Sequence, residues 1–240
     1  MADKPGFPEI LSLGNTGYGD ELLWGAVMTL NIALFAYGIG LSIGIVGAIC
    51  KLHGSKLTRS ILNGYTTLVR AVPELILILL LYYAGTAALN ALLASLGYGA
   101  FAINGFMAAV IVLGFVQGAY STEVLRAAIM AIPVGQLEAA RSFGMSPWME
   151  FRRITLPAML PFALPGLANL WLICTKDTVL IAVVGYTELA LATRQAAGNT
   201  KMYFTFFMVA GAIYLLISLL SQKGFNWLEA RVRRGQRVQV

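Results

Sequence analysis

Five long apolar stretches constrain the fold of this chain more than any other feature of its sequence. They cover approximately residues 22–50, 61–93, 101–125, 158–174 with a shorter continuation at 179–186, and 203–220. The hydrocarbon core of a bilayer is about 30 Å thick and a helix rises about 1.5 Å per residue, so about 20 apolar residues are enough to cross it. The sequence therefore predicts an all-α integral membrane protein with five transmembrane helices.

Composition agrees with a location in the membrane. The chain is 58% hydrophobic and 12% charged, whereas soluble domains carry about 25% charged residues. Its net charge of +6 does not indicate nucleic-acid binding, because the basic residues stand between the apolar stretches, where membrane proteins use them to set orientation. A single histidine, His53, excludes a His/Cys metal cluster. Cys50 and Cys174 lie in or beside apolar stretches, as buried packing residues do.

The positions of lysine and arginine predict the orientation of the chain. Basic residues concentrate in the first loop, in the third loop and in the C-terminal tail, and these regions alternate with poorly charged ones. Because cytoplasmic loops are enriched in lysine and arginine, we expect the N-terminus outside and the C-terminus inside, which requires an odd number of spans. The predicted parts are a periplasmic N-terminal segment (1–21), a transmembrane domain (22–222) with a cytoplasmic loop (126–157), and a basic cytoplasmic tail (223–240).

Small residues in the first and third stretches predict close helix packing. Gly40 and Gly44, and likewise Gly114 and Gly118, form G-x-x-x-G pairs, which let helices approach closely in lipid. The segment from Gly40 to Gly44 also has the G-x-S-x-G pattern of hydrolases. That pattern needs a strand–turn–helix context, and here it lies inside an apolar stretch, so we predict no catalytic residue.

The loop between the third and fourth stretches has the signals of a short helix. Pro133 suits the first turn of a helix, and Gly144 suits the position after its end. A helix is therefore predicted at about residues 136–143, with Glu138 near its positive N-terminal end. Its flat Ala139–Ala140 face suits docking into a groove on another protein.

A second helix is predicted after a sharp corner at Gly144. Ser146 fits an N-cap and Pro147 fits the first helical position. We expect this helix to run to Leu156 and to stop before Pro157, because the residue before a proline is disfavoured in the α conformation. The loop is thus predicted to be two short helices joined at a turn.

The same loop resembles the EAA loop of the permease subunits of ATP-binding-cassette importers. The match consists of Glu138-Ala139-Ala140, three residues, Gly144, nine residues, Ile154, one residue and Leu156-Pro157. In that family the loop is a coupling helix that sits in a cleft of a cytoplasmic ATPase subunit and transmits closure of the ATPase dimer to the spans. The resemblance implies a type I importer (MetI-like) permease fold. The coupling residues it implies are Glu138, Ala139, Ala140, Gly144 and Pro157.

Other segments resemble the polar amino acid branch of the same family. Residues 69–75 are similar to its R-G-x-P-x-L signature, with Ala71 in place of the usual glycine. The segments 119–123, 132–136 and 176–180 also resemble that branch. Glu74, after the proline, makes the chain most similar to the permeases of the histidine/lysine/arginine/ornithine and octopine or nopaline systems. This implies transport of polar, basic amino acids or of opine derivatives.

The resemblance also implies an assembly in the bacterial inner membrane, surrounded by membrane lipid and containing this multi-pass chain. It would hold two permease subunits, two cytoplasmic ATPase subunits and a periplasmic substrate-binding protein. The second permease is either another copy or a different homologous chain, and the subfamily features favour a different chain. The sequence has no G-x-x-x-x-G-K-[ST] phosphate loop, so ATP and Mg are assigned to the partner ATPase and the chain is not predicted to be an enzyme.

Ionisable groups inside the apolar stretches are candidates for the substrate path, because a charge in lipid is costly. Arg70 and Glu74 are four residues apart, so on one helix they would share a face and could pair. Lys176 and Asp177 interrupt the fourth stretch, and transporters often bind substrate where a spanning helix is broken near the midplane. An acid there would attract the side chain of a basic amino acid. For both pairs a purely structural role stays open, either as an ion pair or as an arginine that reaches the interface.

Three further charged residues complete the set. Glu123 is a substrate-path candidate near the cytoplasmic end of the third span, where a cap or an ion pair with Arg126 is the favoured interpretation. Glu188 and Arg194 are predicted in the outer loop, where we expect them to face a binding protein or water.

Two other functional classes fit the sequence less well. An ion-driven secondary transporter would be expected to lack the EAA loop, and it usually has more spans. A membrane enzyme would need a convergent catalytic cluster, which the sequence does not indicate.

Overall fold

The computed structural model describes residues 10–14, 17–99 and 104–233, and the regular elements in these ranges are helices. The α-helices are α1 (Gly19–His53), α2 (Lys56–Ala71), α3 (Glu74–Ser95), α4 (Gly105–Met130), α5 (Val134–Ser142), α6 (Pro147–Glu150), α7 (Leu156–Ile181), α8 (Leu189–Thr200) and α9 (Tyr203–Arg233). A π turn (Phe151–Thr155) precedes α7, and a 3₁₀ turn (Ala182–Val184) follows it.

Five helical segments in this part of the chain are long and apolar enough to cross a membrane. They are Gly19–His53, Glu74–Ser95, Gly105–Met130, Pro147–Val184 and Tyr203–Arg233. The predicted number of spanning helices is therefore confirmed by length and composition. The start of the third predicted span, residues 101–103, lies outside the described residues, as do residues 1–9 of the predicted N-terminal segment.

The second predicted span consists of two helices. α2 ends at Ala71, and α3 begins at Glu74. Between them Val72 has an extended backbone (φ −95°, ψ 138°), because the residue before a proline is pushed out of the α conformation. The 22 residues of α3 are sufficient for a span. The prediction of one continuous helix over residues 61–93 is therefore wrong.

The second helix of the third loop does not stop before Pro157. It passes through the π turn into α7, and the N–H of Leu156 bonds the carbonyl of Phe151, five residues back. A proline lacks the N–H that an α-helical turn needs, and its ring crowds the carbonyl four residues earlier. The π turn widens the helix directly before this position, and so the helix continues where the sequence predicted an end.

Lys176 and Asp177 lie inside α7, which continues to Ile181. The predicted helix break at these two residues is therefore wrong. They interrupt the hydrophobic pattern, but both have a backbone N–H, and lysine in particular is a good helix former. The break comes later, where the 3₁₀ turn is closed by Gly185 with a left-handed backbone (φ 86°).

The last helix is longer than the apolar stretch that predicts it. α9 extends through Arg233, so the part of the predicted basic tail from residue 223 to residue 233 is helical. Residues 234–240 lie outside the described part of the chain.

Internal contacts divide the chain into two compact units. The first unit comprises Met1–Ala36, Glu74–Leu113 and Cys174–Ser218, and the second comprises Tyr37–Pro73, Gly114–Ile173 and Leu219–Val240. In the first unit a core that includes Leu22, Leu189 and Phe206 joins α1 to α8 and α9. In the second unit a core that includes Ala48, Leu125 and Met159 joins α1 to α4 and α7.

Glycines bring α1 against α4 in the second unit. A Cβ added at Gly40 would lie 2.7 Å from the Cβ of Gln117, and one added at Gly44 would collide with the side chain of Ser121. A Cβ at Gly118 of α4 would equally collide with α1. These contacts confirm that small residues at Gly40, Gly44 and Gly118 permit close helix approach.

Candidate functional site

The third loop is a helical hairpin with its corner at Gly144. This residue has a left-handed backbone (φ 72°), which glycine adopts without the strain that a side chain would add. Its N–H donates to the carbonyl of Arg141 at 2.9 Å, and the N–H of Met145 donates to that of Ala140 at 3.2 Å. These bonds close α5, so the predicted end of the first helix at Gly144 is confirmed.

The second arm of the hairpin begins as the sequence predicts. The Ser146 hydroxyl accepts a hydrogen bond from the N–H of Met149, and Pro147 occupies the first helical position. A serine N-cap satisfies a backbone donor that has no partner inside the helix. The direction of the chain after the corner is thus set by local sequence.

Arg141 and Glu150 clamp the two arms together. The guanidinium donates two hydrogen bonds to the carboxylate, from Nε to Oε2 at 3.0 Å and from Nη2 to Oε1 at 3.1 Å. Paired bonds of this kind fix the relative orientation of both groups. The hydrogen bond to Glu150 raises the pKa of Arg141 further above its usual value. Sequence reasoning missed this clamp, because which charges meet depends on the angle of the corner.

The residues that match the family loop do not all lie on one surface. Glu138 and Ala139 are exposed on α5, whereas Ala140 is 2% exposed and packs inside the chain. Consecutive helical residues point about 100° apart, so both alanines cannot serve one external face. The predicted Ala139–Ala140 docking face is therefore wrong for Ala140. Pro157 lies in α7, beyond the π turn.

Two aromatic side chains flank the corner and were not predicted from the sequence. Phe143 is 85% exposed and Trp148 is 70% exposed; we call them the corner aromatics. Large exposed apolar groups are typical of protein interaction surfaces. The signal that could have identified them is their position on either side of the glycine that turns the chain.

In the first unit, Glu74 at the start of α3 meets Asp177 of α7. The two carboxyl groups lie within hydrogen-bonding reach of each other, and both side chains are partly buried. Two carboxylates this close repel each other, so an approaching cation stabilises both. This acidic pair is therefore suited to receive a positively charged group.

The predicted pairing of Arg70 with Glu74 on one helix face is wrong. The break at Pro73 places Arg70 on α2 and Glu74 on α3, so the spacing of four residues no longer puts them on a common face. Both Arg70 and Lys176 are exposed.

Glu123 holds two basic residues in the second unit. Its carboxylate accepts hydrogen bonds from Lys51 Nζ at 2.5 Å and from Arg126 at 2.8 Å. Lys51 also donates to the Thr66 hydroxyl at 2.6 Å. The Arg126 contact confirms the expected pair. Lys51 was missed, although a lysine at the very end of an apolar stretch is a signal for a buried partner.

Glu188 is buried, with 0% exposure, so the expectation that it faces water or a binding protein is wrong. It caps α8 by accepting the N–H of Leu191 at 2.9 Å. The same carboxylate accepts hydrogen bonds from the Thr29 hydroxyl at 3.2 Å and the Tyr214 hydroxyl at 2.9 Å. A buried acid is retained because these donors satisfy it. Arg194 is exposed on α8, as expected.

Metal ligation has no support in the part of the chain that the structure describes. No group of three or more histidine, cysteine, aspartate or glutamate residues there could hold a metal ion.

Residues 40–234 match the family described as binding-protein-dependent transport system inner membrane component. The chain is 42% identical over 236 residues to the nopaline transport system permease protein of Agrobacterium fabrum, covering 96% of this chain and 98% of the relative. It is 42% identical over 219 residues to the histidine/lysine/arginine/ornithine transport system permease protein of Salmonella typhimurium, covering 91% and 96%. It is 35% identical over 230 residues to the octopine transport system permease protein of Rhizobium radiobacter, covering 95% and 97%.

Solved structures share the fold. A chain from the crystal structure of an amino acid ABC transporter with histidines matches with a TM-score of 0.75 and 29% identity, over 89% of this chain and 95% of that one. A chain of the inward-facing MetNI methionine ABC transporter matches with a TM-score of 0.68 and 20% identity, over 90% and 96%. This chain belongs to the inner membrane components of binding-protein-dependent transport systems and is a multi-pass protein of the inner membrane.

Proposed function

We propose that this chain is the membrane-spanning permease subunit of an ATP-binding-cassette importer that moves basic amino acids or opine derivatives across the bacterial inner membrane. Family membership and relatives named for the transport of nopaline and of histidine, lysine, arginine and ornithine support this function. The alternative, an ion-driven secondary transporter, finds no support among these relatives.

The pairing of Glu74 with Asp177 carries the proposal for basic substrates. Their carboxyl groups form a partly buried acidic pair, and a charge interaction there is stronger than in open water. We assign to this pair the ammonium or guanidinium group of the substrate side chain. Glu123 then has a structural role, because it is already engaged by two basic residues.

The hairpin at Gly144 carries the proposal for coupling. In the proposed arrangement it faces the cytoplasm, where Glu138, Ala139 and the corner aromatics dock on the partner ATPase. Ala140 and Pro157 would act indirectly by holding the shape of the loop. The Arg141–Glu150 clamp resists bending, so a movement of the ATPase would reach α7 without being lost in the loop.

The complete assembly follows from the same proposal. Two ATPase subunits bind ATP and Mg, a periplasmic binding protein delivers the substrate, and a second permease completes the path; we favour a different homologous chain for this second permease. The N-terminal segment (1–21) would lie in the periplasm, and the basic tail (223–240) in the cytoplasm, because lysine and arginine are retained inside.

Uptake by the reconstituted complex tests the substrate class. Proteoliposomes with internal ATP and external binding protein are expected to accumulate arginine, lysine, histidine or ornithine. Asp177→Asn and Glu74→Gln should each lower that uptake about tenfold, the value of one charge-assisted hydrogen bond. Glu229→Gln, which removes an acid paired with Arg233 on α9, is the matched control. Unchanged uptake in both test variants would remove the acidic pair from the substrate path.

A charge reversal tests the coupling assignment separately. Glu138→Lys is expected to abolish uptake while the binding protein still binds its ligand, because only the contact with the ATPase is altered. Wild-type uptake by this variant would refute the docking role of α5.

A further inference from the structure

Helix α2 carries an exposed stripe of polar side chains. Its members are separated by three or four residues, so they share one face. This polar stripe consists of Lys56, Arg59, Asn63, Thr67 and Arg70, and all of them are exposed. The helix contains no acidic residue, so the stripe is basic at both ends and neutral between them.

A second exposed face of α2 is apolar. Leu57 is 70% exposed, Ile61 is 63% exposed and Leu68 is 58% exposed. At 100° per residue this face lies about 140° around the helix from the polar stripe. On the opposite side of the helix Thr66 and Val69 are buried. Small residues, Ser60, Gly64 and Ala71, are exposed between the polar stripe and the apolar face. The helix therefore has an inward face against its own chain, a face suited to lipid, and a third face suited to neither.

Contacts inside the second unit show that α2 runs back along α1 to the level of the spans. Near its beginning Thr58 lies beside Gly54, at the end of α1. Farther along, the Tyr65 hydroxyl donates to the carbonyl of Phe115 at 2.5 Å. Phe115 lies near the middle of α4 (Gly105–Met130), which is long enough to span a membrane. Arg70 follows Tyr65 by more than one helical turn, so it lies at the depth of the spans.

Polar groups at this depth cannot face hydrocarbon without large cost, and such residues face protein or a water-filled cavity. We propose that the polar stripe lines an aqueous section of the transport path and that Arg70 binds the carboxylate of the passing amino acid. The inference rests on the proposed import of amino acids. Arginine suits this task because its planar guanidinium offers two parallel hydrogen bonds to a carboxylate.

Cysteine accessibility in the assembled complex tests the stripe. In a background where Cys50 and Cys174 are replaced by alanine, Asn63→Cys and Thr67→Cys are compared with Ile61→Cys and Leu68→Cys on the lipid-facing side. A water-soluble methanethiosulfonate reagent is given access to both faces of the membrane. It should modify the cysteines at positions 63 and 67 about ten times faster than those at positions 61 and 68, because a thiol must ionise in water to react. Equal rates in both sets would overturn the proposal. Protection of the two stripe positions in the ligand-free complex would do the same, since it would show that a second permease covers them.

Substrate protection tests the role of Arg70. L-arginine is expected to slow modification of Thr67→Cys severalfold, whereas L-argininamide, which lacks the carboxylate, should not. Adding Arg70→Gln should abolish the protection, Arg70→Lys should restore part of it, and Lys223→Gln on α9 should leave it intact. Equal protection by both compounds, or protection that survives Arg70→Gln, would overturn the carboxylate assignment.

The two proposals fail in different ways. If the complex takes up basic amino acids but the reagent labels both faces of α2 equally, only the proposal that the polar stripe lines the path is refuted. If the reagent labels the stripe selectively but the complex takes up no basic amino acid, the proposed substrate class is refuted. The proposal that the stripe lines an aqueous path is then still supported.

Discussion

The ammonium group of Lys51 lies 2.5 Å from the carboxylate of Glu123, and this ion pair joins the end of α1 to α4. The side chains are only 5% and 19% exposed, so water screens the pair weakly. Removing one partner of such a pair leaves an uncompensated charge, which costs more than the pair contributes.

Glu123→Gln is therefore expected to destabilise the protein by about 3 kcal/mol, because it leaves the nearly buried ammonium group of Lys51 without a counter-charge. Glu123→Gln combined with Lys51→Met should recover part of the loss, since the charge that remains, on Arg126, is 33% exposed. Thermal unfolding of the purified complex in detergent would measure both effects. The control is Glu229→Gln, which removes a more exposed pair with Arg233 and should cost less than about 1 kcal/mol. Equal losses for the two ion pairs would contradict the buried character of Lys51.

Replacing Glu188 is expected to weaken the first unit. Glu188→Ala would leave the hydroxyls of Thr29 and Tyr214 and the N–H of Leu191 without their acceptor, and each unsatisfied buried donor costs about 1–3 kcal/mol. Tyr214→Phe removes one donor and leaves the cap in place, so its cost should be about 1 kcal/mol. The unfolding temperatures of the two variants would measure these costs. Similar decreases in unfolding temperature for Glu188→Ala and Tyr214→Phe would show that the carboxylate does not organise α8.

Close packing of α1 against α4 can be tested by adding a methyl group at Gly44 and by removing the side chain that it meets on α4. Gly44→Ala places a methyl group against the side chain of Ser121 and should sharply reduce the yield of folded permease. Gly38→Ala, on the same helix with nothing within 4 Å of the added atom, is the matched control and should be neutral. The double variant Gly44→Ala with Ser121→Gly should regain part of the yield, because the second change removes the nearest atom but leaves the backbone carbonyl carbon of residue 121 at 2.9 Å from the added methyl group. Failure of this rescue would mean that backbone crowding dominates.

The corner of the hairpin should tolerate asparagine but not valine. Gly144 has a positive φ of 72°, which asparagine adopts far more readily than a β-branched residue does. Gly144→Val is expected to lower substrate uptake by the reconstituted complex at least about tenfold, from roughly 1–2 kcal/mol of backbone strain that displaces α5. Gly144→Asn should retain most of the uptake. If both variants behave alike, the corner does not control the position of α5.

Features set by local sequence were predicted well. The spans follow from apolar length, and the hairpin corner follows from Gly144, Ser146 and Pro147, whose effects reach only a few residues. The two prolines show where such rules stop. Pro73 interrupts the helix, which the prediction of one helix over residues 61–93 missed, whereas Pro157 does not, because a π turn of the preceding residues accommodates it. The sequence carries no separate signal for that turn.

Most contacts between segments that are distant in the chain could not be predicted from the sequence. Glu188 and Thr29 are 159 residues apart in the chain, and Lys51 and Glu123 are 72 apart. A charge within or beside an apolar stretch indicates that a partner exists, but the identity of the partner depends on which helices pack together. The same limit applies to Glu74: its spacing in the sequence suggests Arg70 as a possible partner and gives no indication of Asp177.

The interruption at Val72 and Pro73 has a mechanical consequence. α2 ends in the second unit and α3 begins in the first, and Pro73 has no N–H with which to continue the ladder of α2. A change of angle at this joint requires rotation about a few backbone bonds and leaves the hydrogen bonds of both helices intact. The segment therefore consists of two separately hydrogen-bonded helices, and bending it at Pro73 does not require either helix to unfold.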